Sequence, residues 1–238
     1  MANSYFKFKQ FTIHQDRSAM KVCTDACIFG AWIAQKKLEV DLVLDIGAGT
    51  GLLMLMLAQQ RQNAIIHGIE IDANSFEQLS ENISGSKWSD RLIIHHADIR
   101  SANHLPKFDF ILSNPPFHEK NLQTGSASLD TARHSEELNL KELMIAIHNN
   151  LSADGTFAVL LPFYRVAEFE KLAGDSDFYL QEKILIKQSP AHGFFRGILF
   201  FGRKNVQDIL QQELTIEEKQ GVYSAGFVGL LKDYYLYL

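Results

Sequence analysis

The stretch Asp45-Ile46-Gly47-Ala48-Gly49-Thr50-Gly51 decides the fold that this sequence predicts. An apolar run at 41–46, typical of a buried strand, leads into it, and an apolar run at 52–58, typical of a helix, leaves it. Glycines at such a turn let the backbone approach a ligand closely and adopt positive φ angles without a Cβ clash. The spacing is G-x-G-x-G, whereas a dinucleotide fingerprint has its third glycine one residue later, where Leu52 stands. The turn therefore favours a methionine-sulfonium cofactor over a dinucleotide such as NAD.

Strand and helix patterns alternate through most of the chain. The predicted strands are 41–46, 64–69, 92–94, 108–112, 157–161, 179–187 and 197–201, and the predicted helices begin at Thr24 and cover 52–58, 74–83, 140–151 and 166–172. Such alternation indicates a parallel sheet with helices on both faces. No convincing helix separates the last two strands, so we expect one of them to run antiparallel. We predict an α/β, Rossmann-like fold in one domain, 1–238, with an N-terminal cap at 1–37 and a C-terminal extension at 206–238.

Three acidic residues stand at or just after the ends of successive predicted strands. Asp45 can accept a hydrogen bond from an ammonium group of the cofactor, Glu70 can accept from two ribose hydroxyls, and Asp98 can accept from an adenine amino group. Each acid alone could equally be a solvated turn residue. Ligands of doubly wound sheets bind at the carboxyl ends of the strands, so three acids at those positions favour a cofactor site. Ile71 and Ile99, which follow two of the acids, belong to the same predicted site.

Ser113-Asn114-Pro115-Pro116-Phe117 follows another predicted strand and indicates where the methyl acceptor binds. Two prolines remove two backbone donors and fix two φ angles, which leaves carbonyl groups facing the cavity. The Asn114 side-chain carbonyl and the Pro115 backbone carbonyl can each accept a hydrogen from a planar –NH2 group, and Phe117 can stack on the base. Asn114, Pro115, Pro116 and Phe117 are thus the predicted catalytic residues of an S-adenosylmethionine-dependent methyltransferase that acts on an amino nitrogen. The alternative is a proline turn that closes a strand, with Phe117 in the core.

Motifs along nearly the whole chain resemble those of one known family. Besides the two motifs above, they are Phe8-Lys9-Gln10-Phe11, Asp16-Arg17, Met20-Lys21-Val22, Thr24-Asp25, Gly30-Ala31-Trp32, Glu70-Ile71-Asp72, Asn82, Trp88, Asp98-Ile99, Ala132-Arg133-His134, Leu161-Pro162, Tyr223 and Asp233-Tyr234-Tyr235-Leu236. They resemble the bacterial valine-tRNA adenine-37 N6-methyltransferases. The resemblance implies a seven-stranded methyltransferase sheet, S-adenosylmethionine as the cofactor, and methylation of the adenine amino group next to the anticodon of tRNA(Val).

One position departs from the pattern of this family. The family usually has Tyr where Phe117 stands, and His118 follows here. Phe-His after Asn-Pro-Pro also resembles ribosomal-RNA guanine-N2 methyltransferases, and Asn-Pro-Pro itself is shared by many amino-methyltransferases. Two alternatives with the same chemistry therefore stay open: guanine-N2 of rRNA, and the side-chain amide of a protein glutamine.

The N-terminal stretch 21–25 is expected to fold over the cofactor. Lys21, Thr24 and Asp25 are candidate contacts, although Thr24 or Asp25 can equally cap the helix that begins here. Further along, the loop 119–133, flanked by His118 and His134, is expected to admit tRNA. Positive charge near the last strands can contact RNA phosphates; it comes from Lys187, His192, Arg196, Arg203 and Lys204.

Bulk composition limits the partners and the compartment. A net charge of −5 argues against a protein whose whole surface binds nucleic acid, but it allows a local basic patch. No apolar run approaches the roughly 20 residues that span a bilayer, and the N-terminus lacks the apolar core of a signal peptide. Cys23 and Cys27 are expected to be free thiols, and the adjacent His95 and His96 would point to opposite faces of a strand, so no metal site is predicted. We predict a monomeric, cytoplasmic protein whose partner is tRNA.

Overall fold

The computed structural model describes residues 3–18, 20–102, 104–116 and 138–238. Two short strands, β1 (Tyr5–Lys7) and β2 (Thr12–His14), pair as an antiparallel hairpin. The central sheet within the described ranges consists of β3 (Leu42–Ile46), β4 (Ile65–Glu70), β5 (Leu92–His96), β6 (Phe108–Ser113), β7 (Leu151–Pro162), β8 (Tyr179–Lys187), β9 (Phe194–Gly202) and β10 (Leu210–Thr215). Their order across the sheet is β10-β8-β9-β7-β6-β3-β4-β5. Only β9 of these described strands runs antiparallel to its neighbours, which confirms the predicted α/β class with one antiparallel strand.

The sheet differs from the predicted one at two places. It has an eighth strand, since β10 of the C-terminal extension pairs in parallel with β8 at the sheet edge. Four of the six residues of β10 are exposed and only Leu214 is buried, so the segment lacks the apolar pattern that predicts a strand. In addition, β7 begins at Leu151, six residues before the predicted start of this strand at 157, and so includes Asp154 and Gly155.

Helices cover both faces of the sheet. They are α1 (Thr24–Gln35), α2 (Leu52–Gln60), α3 (Ala73–Ser84), α4 (Leu140–Asn150), α5 (Val166–Gly174) and α6 (Ala225–Leu231). Residues of α1, α2, α3 and α6 share one buried apolar cluster, and residues of α4 and α5 share another on the opposite face. Of the helices that the structure describes, none combines the length and apolar character that crossing a bilayer requires.

Two of the helices that flank the functional edge of the sheet begin with side-chain caps. Asp72 Oδ2 accepts a hydrogen bond from the Ser75 backbone N–H at 2.8 Å and so caps α3. Asn139 and Glu142 form a capping box at the start of α4. Helix α1 differs from its prediction: its N-cap residue is Cys23, one position before Thr24, and no described side chain caps it.

Both ends of the chain pack on the face that carries α1 and α2. The backbone N–H of Lys9 donates to the carbonyl of Tyr234 at 2.8 Å, and Phe8 bridges to Tyr235. Tyr234 is 1% exposed, and its hydroxyl donates to the carbonyl of Met56 in α2 at 3.1 Å. The C-terminal extension is therefore docked against the core. The division into one domain with a cap at 1–37 stays a prediction.

Candidate active site

A cavity of about 530 Å³ lies at the carboxyl edge of the parallel strands. The turn after β3 and the residues that follow β4, β5 and β6 form one side of it, and the segment before α1 forms the other. The predicted site residues on its wall are Lys21, Gly47, Gly49, Glu70, Ile71, Asp98, Ile99, Asn114, Pro115 and Pro116. The structure therefore brings most of the predicted cofactor residues and three of the four predicted catalytic residues to one cavity.

Gly47 and Gly49 present open backbone to this cavity. Their φ angles are 74° and 54°, in the left-handed region, and a Cβ atom at either position would have no described atom within 4 Å. Gly51 differs: at a φ of 82°, its Cβ would lie 2.8 Å from Cδ1 of Leu79 in α3. Gly51 is also absent from the described wall of the cavity. The surroundings of Gly51 are explained by the close packing of α3 against the turn, and its predicted contact with the cofactor stays a prediction.

The Glu70 carboxylate holds the glycine turn in shape. Oε2 accepts a hydrogen bond from the backbone N–H of Gly49 at 2.8 Å. Oε1 accepts from the backbone N–H groups of Ile71 and Asp72, each at 2.9 Å. Since a carboxylate oxygen can accept more than one hydrogen bond, Glu70 can serve ribose hydroxyls while it supports the turn.

Asp98 is held in place by Arg100. Its Oδ1 accepts from the Arg100 backbone N–H at 2.9 Å, and its Oδ2 lies 2.7 Å from Nη2 of the guanidinium. Hydrogen bonding by the Arg100 side chain lowers the pKa of Asp98 below its ordinary value. Arg100 also reaches Glu142 in α4 at 3.5 Å. The acid predicted to receive an adenine amino group therefore sits on the wall as an ion pair.

Asp45 lies in β3 just before the turn and is fully buried. Among the described residues, neither of its carboxylate oxygens has a hydrogen-bond partner. Burial, and secondarily the charge of Glu70, raise the pKa of Asp45 to about 8. A buried polar group without a partner is unfavourable, so a cationic group bound beside Asp45 would remove that penalty. Asp45 does not itself line the described wall of the cavity.

The acceptor side of the cavity begins at the end of β6. Ser113 Oγ donates to the carbonyl of Ile46 at 2.8 Å, which joins the ends of β6 and β3. Nδ2 of Asn114 lies 3.9 Å from Sδ of Met20 in the segment across the cavity. The Asn114 side chain therefore points over the cavity rather than into the core. Phe117 lies outside the described residues, as do His118, His134 and the loop 119–133, so these predictions stay as they were made.

The segment before α1 closes the other side of the cavity. Its wall residues are Ser18, Met20, Lys21 and Val22. Two contacts with α3 hold it: the Arg17 backbone N–H donates to Gln78 Oε1 at 3.2 Å, and Ser18 Oγ lies 3.4 Å from Ser75 Oγ. Lys21 is thus where the sequence predicts it, at the cavity.

Thr24 and Asp25 are absent from the described wall of the cavity. Thr24 is exposed and is not part of the described wall, so its predicted contact with the cofactor finds no support. Asp25 is nearly buried, and its Oδ2 accepts from Nε of Arg196 at 2.7 Å. This ion pair ties the start of α1 to the start of β9. Of the helix residues that follow, Ala26 still reaches the wall of the cavity.

Some wall residues were not predicted, among them Ser18, Met20, Ser75, Arg100 and Leu138. Met20 lies within a segment that carries the family resemblance, so a signal for it existed. Arg100 directly follows the predicted Asp98 and Ile99, whereas Ser75 and Leu138 reach the cavity through packing between elements far apart in the chain, which no local pattern reveals.

These residues fit the predicted cofactor, S-adenosylmethionine. Open backbone at Gly47 and Gly49 permits close approach, and the uncompensated carboxyl of Asp45 suits an ammonium group. Glu70 and Asp98 offer acceptors for hydroxyl and amino groups at the neighbouring strand ends. Among the residues that the structure describes, no group of three or more His, Cys, Asp or Glu side chains is arranged to hold a metal ion.

Comparison with known proteins identifies the family. A family model, the methyltransferase small domain, matches residues 30–160. The tRNA1(Val) (adenine(37)-N6)-methyltransferase of Dyadobacter fermentans is 38% identical over 237 residues, which are 98% of this chain and 98% of that protein. The chain belongs to the tRNA1(Val) (adenine(37)-N6)-methyltransferase family. The enzyme of the same name from Flavobacterium psychrophilum is 38% identical over 233 residues, 97% of this chain and 99% of that protein.

A solved structure shares the fold of this chain. The crystal structure of a predicted O-methyltransferase from Agrobacterium tumefaciens matches with a TM-score of 0.67, covering 87% of this chain and 95% of that chain. Its sequence is 17% identical, so the likeness concerns the fold alone. The resemblance to the tRNA1(Val) (adenine(37)-N6)-methyltransferase family and the Rossmann-like class, both predicted from the sequence, are thereby confirmed.

Proposed function

We propose that this protein transfers the methyl group of S-adenosylmethionine to N6 of the adenine at position 37, next to the anticodon, of tRNA1(Val). Its relatives match over nearly the whole chain and carry the name of this reaction. The observation that carries the chemistry is that Asn114 and the glycine turn share one cavity. An amine held at Asn114 therefore faces the place where a cofactor on the turn would lie.

The cofactor side of the site is assigned to residues of three strand ends. S-adenosylmethionine, when bound, supplies an electrophilic methyl group on its sulfonium. Gly47 and Gly49 admit its amino-acid part close to the backbone, and Asp45 stabilises the ammonium group. We assign Glu70 to the ribose of the cofactor. We assign Ile71, Asp98 and Ile99 to its adenine, and Lys21 to the side of the cavity formed by the segment before α1.

The acceptor side holds the reacting nitrogen. The side-chain carbonyl of Asn114 and the backbone carbonyl of Pro115 accept the two hydrogens of the adenine amino group. This pair of hydrogen bonds aims the nitrogen lone pair across the cavity, so the rate gain comes mainly from alignment. Both carbonyl dipoles also stabilise the positive charge that develops on nitrogen before one proton leaves to water. Pro116 and Phe117 complete the predicted acceptor motif, with Phe117 stacking on the base.

The test identifies the nucleoside that carries the new methyl group. An unmodified tRNA1(Val) transcript is incubated with enzyme and S-adenosylmethionine, digested, and analysed by mass spectrometry. We expect one methyl group on the adenosine at position 37. Methylation of rRNA guanosine or of protein glutamine with an unchanged tRNA would overturn the proposal in favour of one of its two alternatives.

Variants test the role of Asn114. Asn114→Ala is expected to cost about 2–4 kcal/mol of transition-state stabilisation, seen as a fall of roughly 30- to 900-fold in kcat/KM, since it removes one of the two carbonyls that hold the amine. Asn149→Ala, at an exposed asparagine of α4, is the matched control and should retain full activity. Near-wild-type methyl transfer by Asn114→Ala would contradict the mechanism.

Three finer features belong to the same proposal: the enzyme binds the tRNA through the anticodon loop, acts as a monomer, and works in the cytoplasm. Two free cysteines, one of them buried, suit a reducing compartment. Light scattering of the purified protein with and without tRNA tests the monomer, and a dimer in either state would contradict it.

A further inference from the structure

Two consecutive aromatic residues are exposed where β7 ends. Phe163 is 41% and Tyr164 is 63% exposed. The Phe163 ring packs beside that of Phe194, with ring centroids 5.5 Å apart and planes inclined by 50°. We call Phe163, Tyr164 and Phe194 the aromatic platform. Two exposed aromatic side chains beside a third ring give a partner large, rigid contact area, with a polar hydroxyl on Tyr164.

The platform is carried by the turn that follows β7 and by the start of β9. Strand β7 ends at Pro162, and Phe163–Arg165 form a single 3-10 turn before α5, in which no residue is buried. Phe194 is the first residue of β9, which lies next to β7. Where β9 pairs with β8, the register shifts between Ile186 and Lys187, so that Phe194 lies opposite Lys187. Nζ of Lys187 lies 5.3 Å from the centre of the Phe194 ring. The three rings therefore lie at the carboxyl ends of the parallel strands, where β7 ends and the antiparallel β9 begins.

The platform lies beside the acceptor site. Val159 of β7 lies opposite Ser113 of β6 in a parallel pair. Phe163 follows Val159 by four residues, whereas Asn114 follows Ser113 by one. At a rise of about 3.3 Å per residue, the platform stands roughly 10 Å farther along the strand direction than Asn114. Stacked nucleotides spaced at about 3.4 Å would cover this distance with two or three bases.

Charge at the platform is balanced. Nε of Arg165 lies 2.6 Å from Glu168 Oε2, and Nζ of Lys187 lies 2.9 Å from Glu213 Oε2. Each cation beside the rings therefore has a carboxylate partner. We therefore expect this surface to bind RNA mainly by stacking of bases on the rings, and less by contacts between these cations and phosphates.

We propose that the aromatic platform stacks on unpaired RNA bases next to the target adenine, an inference that rests on the proposed function. Bases of single-stranded loops stack on exposed aromatic side chains whatever their sequence, because every base has a π face. The target adenine must leave its stack to reach Asn114. Stacking of its neighbours on Tyr164 and Phe163 offsets that loss and fixes the register of the loop.

The experiment measures binding of an unmodified tRNA1(Val) transcript, and its methylation, as the salt concentration is varied. Tyr164→Ala is expected to weaken tRNA binding about 5- to 100-fold and to raise KM for tRNA more than it lowers kcat. Tyr164→Phe should bind as the wild type does, because stacking needs only the ring. The slope of log affinity against log salt should stay unchanged in both variants, since no phosphate contact is lost. Phe163→Ala should behave like Tyr164→Ala.

Tyr179→Ala is the matched control. Tyr179 is 36% exposed and begins β8, at the opposite edge of the sheet, so its loss should leave tRNA affinity unchanged. S-adenosylmethionine affinity, measured in parallel, should be the same in all variants and shows that each is folded.

The outcomes separate the two proposals. If the wild type methylates adenine 37 and Tyr164→Ala binds tRNA as tightly as the wild type does, the platform is refuted while the proposed function stands. If the wild type binds tRNA without methylating it, the proposed function fails, and the binding data still decide the platform. An equal loss of affinity for a duplex RNA without a loop, or a changed oligomeric state in Tyr164→Ala, would also overturn the inference.

Discussion

Oε2 of Glu70 accepts a hydrogen bond from the backbone N–H of Gly49 at 2.8 Å. The two residues belong to the ends of neighbouring strands, so this bond fixes the turn after β3 against the end of β4. Glu70 also accepts from the N–H groups of Ile71 and Asp72. One carboxylate thus organises the backbone on which the cofactor is proposed to lie, in addition to its predicted contact with ribose.

Glu70→Gln is expected to weaken S-adenosylmethionine binding about 10- to 100-fold. The amide keeps one acceptor oxygen but replaces the other by an NH2 group, which cannot accept from a backbone N–H. A hydrogen bond to a charged group contributes about 1.5–3 kcal/mol. Isothermal titration calorimetry measures the change. Glu77→Gln, at an exposed glutamate of α3, is the control, and equal affinities for the two variants would contradict the role of Glu70.

Gly47→Ala and Gly51→Ala are expected to fail in different ways. Both glycines have positive φ angles, so alanine at either costs about 1–2 kcal/mol of backbone energy. The new methyl group of Gly47→Ala would project into open space at the cavity, and cofactor binding should weaken. The methyl group of Gly51→Ala would lie 2.8 Å from Leu79, so that variant should lose about 1–3 kcal/mol more in its free energy of unfolding.

Denaturant unfolding and cofactor titration of both variants separate these effects. The pair serves as its own control, because the two positions share the backbone conformation and differ in what surrounds the Cβ. Equal stability of the two variants, or a greater loss of cofactor affinity in Gly51→Ala, would show that the turn is packed differently.

Local sequence signals predicted the elements that position the site. The glycine turn, the acids at strand ends and the Asn-Pro-Pro stretch each follow an apolar strand, and parallel strands bring their carboxyl ends to one edge. That is why Gly47, Glu70, Asp98 and Asn114 could be assigned to one cavity before any coordinates. The alternation of strand and helix predicted the fold class for the same reason.

Features that depend on distant partners escaped prediction. Strand β10 is mostly exposed, and its identity as a strand comes from pairing with β8 rather than from its own pattern. Gly47 and Gly51 look equivalent in sequence, and the positions of Leu79 and Ile83 in α3 distinguish them. Helix α1 begins at Thr24 as predicted, but its N-cap is Cys23 rather than Thr24 or Asp25, a difference of one or two residues that side-chain propensity does not resolve.

His67→Phe is expected to make the protein less sensitive to mild acid. Nδ1 of His67 lies 3.0 Å from Nε2 of His95, and burial first, then the neighbouring histidine, lower the pKa of His67 below its ordinary value. The unfolded chain therefore binds a proton near pH 6.5 that the folded protein binds only at lower pH. The contribution of His67 to the free energy of unfolding is fully present above about pH 6.5 and is lost as the pH falls below that value.

Thermal unfolding between about pH 5 and about pH 8 measures this effect. The wild type should lose more of its Tm toward the acid end than His67→Phe does. His148→Gln, at an exposed histidine of α4, is the control and should follow the wild type. Parallel acid profiles for the wild type and His67→Phe would contradict the assignment.

Asp45→Asn is expected to remove, from the cofactor-free protein, a loss of stability that develops as the pH rises from about 4 to about 8. The pKa of about 8 in the folded state lies above the ordinary value of about 3.9, so the folded protein keeps a proton that the unfolded chain releases between these limits. The stabilisation is complete below about pH 4 and is lost progressively until about pH 8, by at most about 1.4 kcal/mol per pH unit. Urea unfolding from about pH 6 to about pH 9 should show this decline in the wild type and a flatter profile in Asp45→Asn.

The same carboxyl links stability to the cofactor. An ammonium group beside Asp45 favours the ionised carboxylate, so cofactor binding near pH 7 should release a proton in the wild type and none from this site in Asp45→Asn. Calorimetric titrations in two buffers of different ionisation enthalpy measure that proton, with Asp154→Asn, at an exposed aspartate, as the control. If the wild type released no proton and its unfolding showed no decline with pH, Asp45 would already be ionised before the cofactor binds. The fully buried, unpartnered carboxyl would then have to be balanced by a charge from elsewhere in the chain.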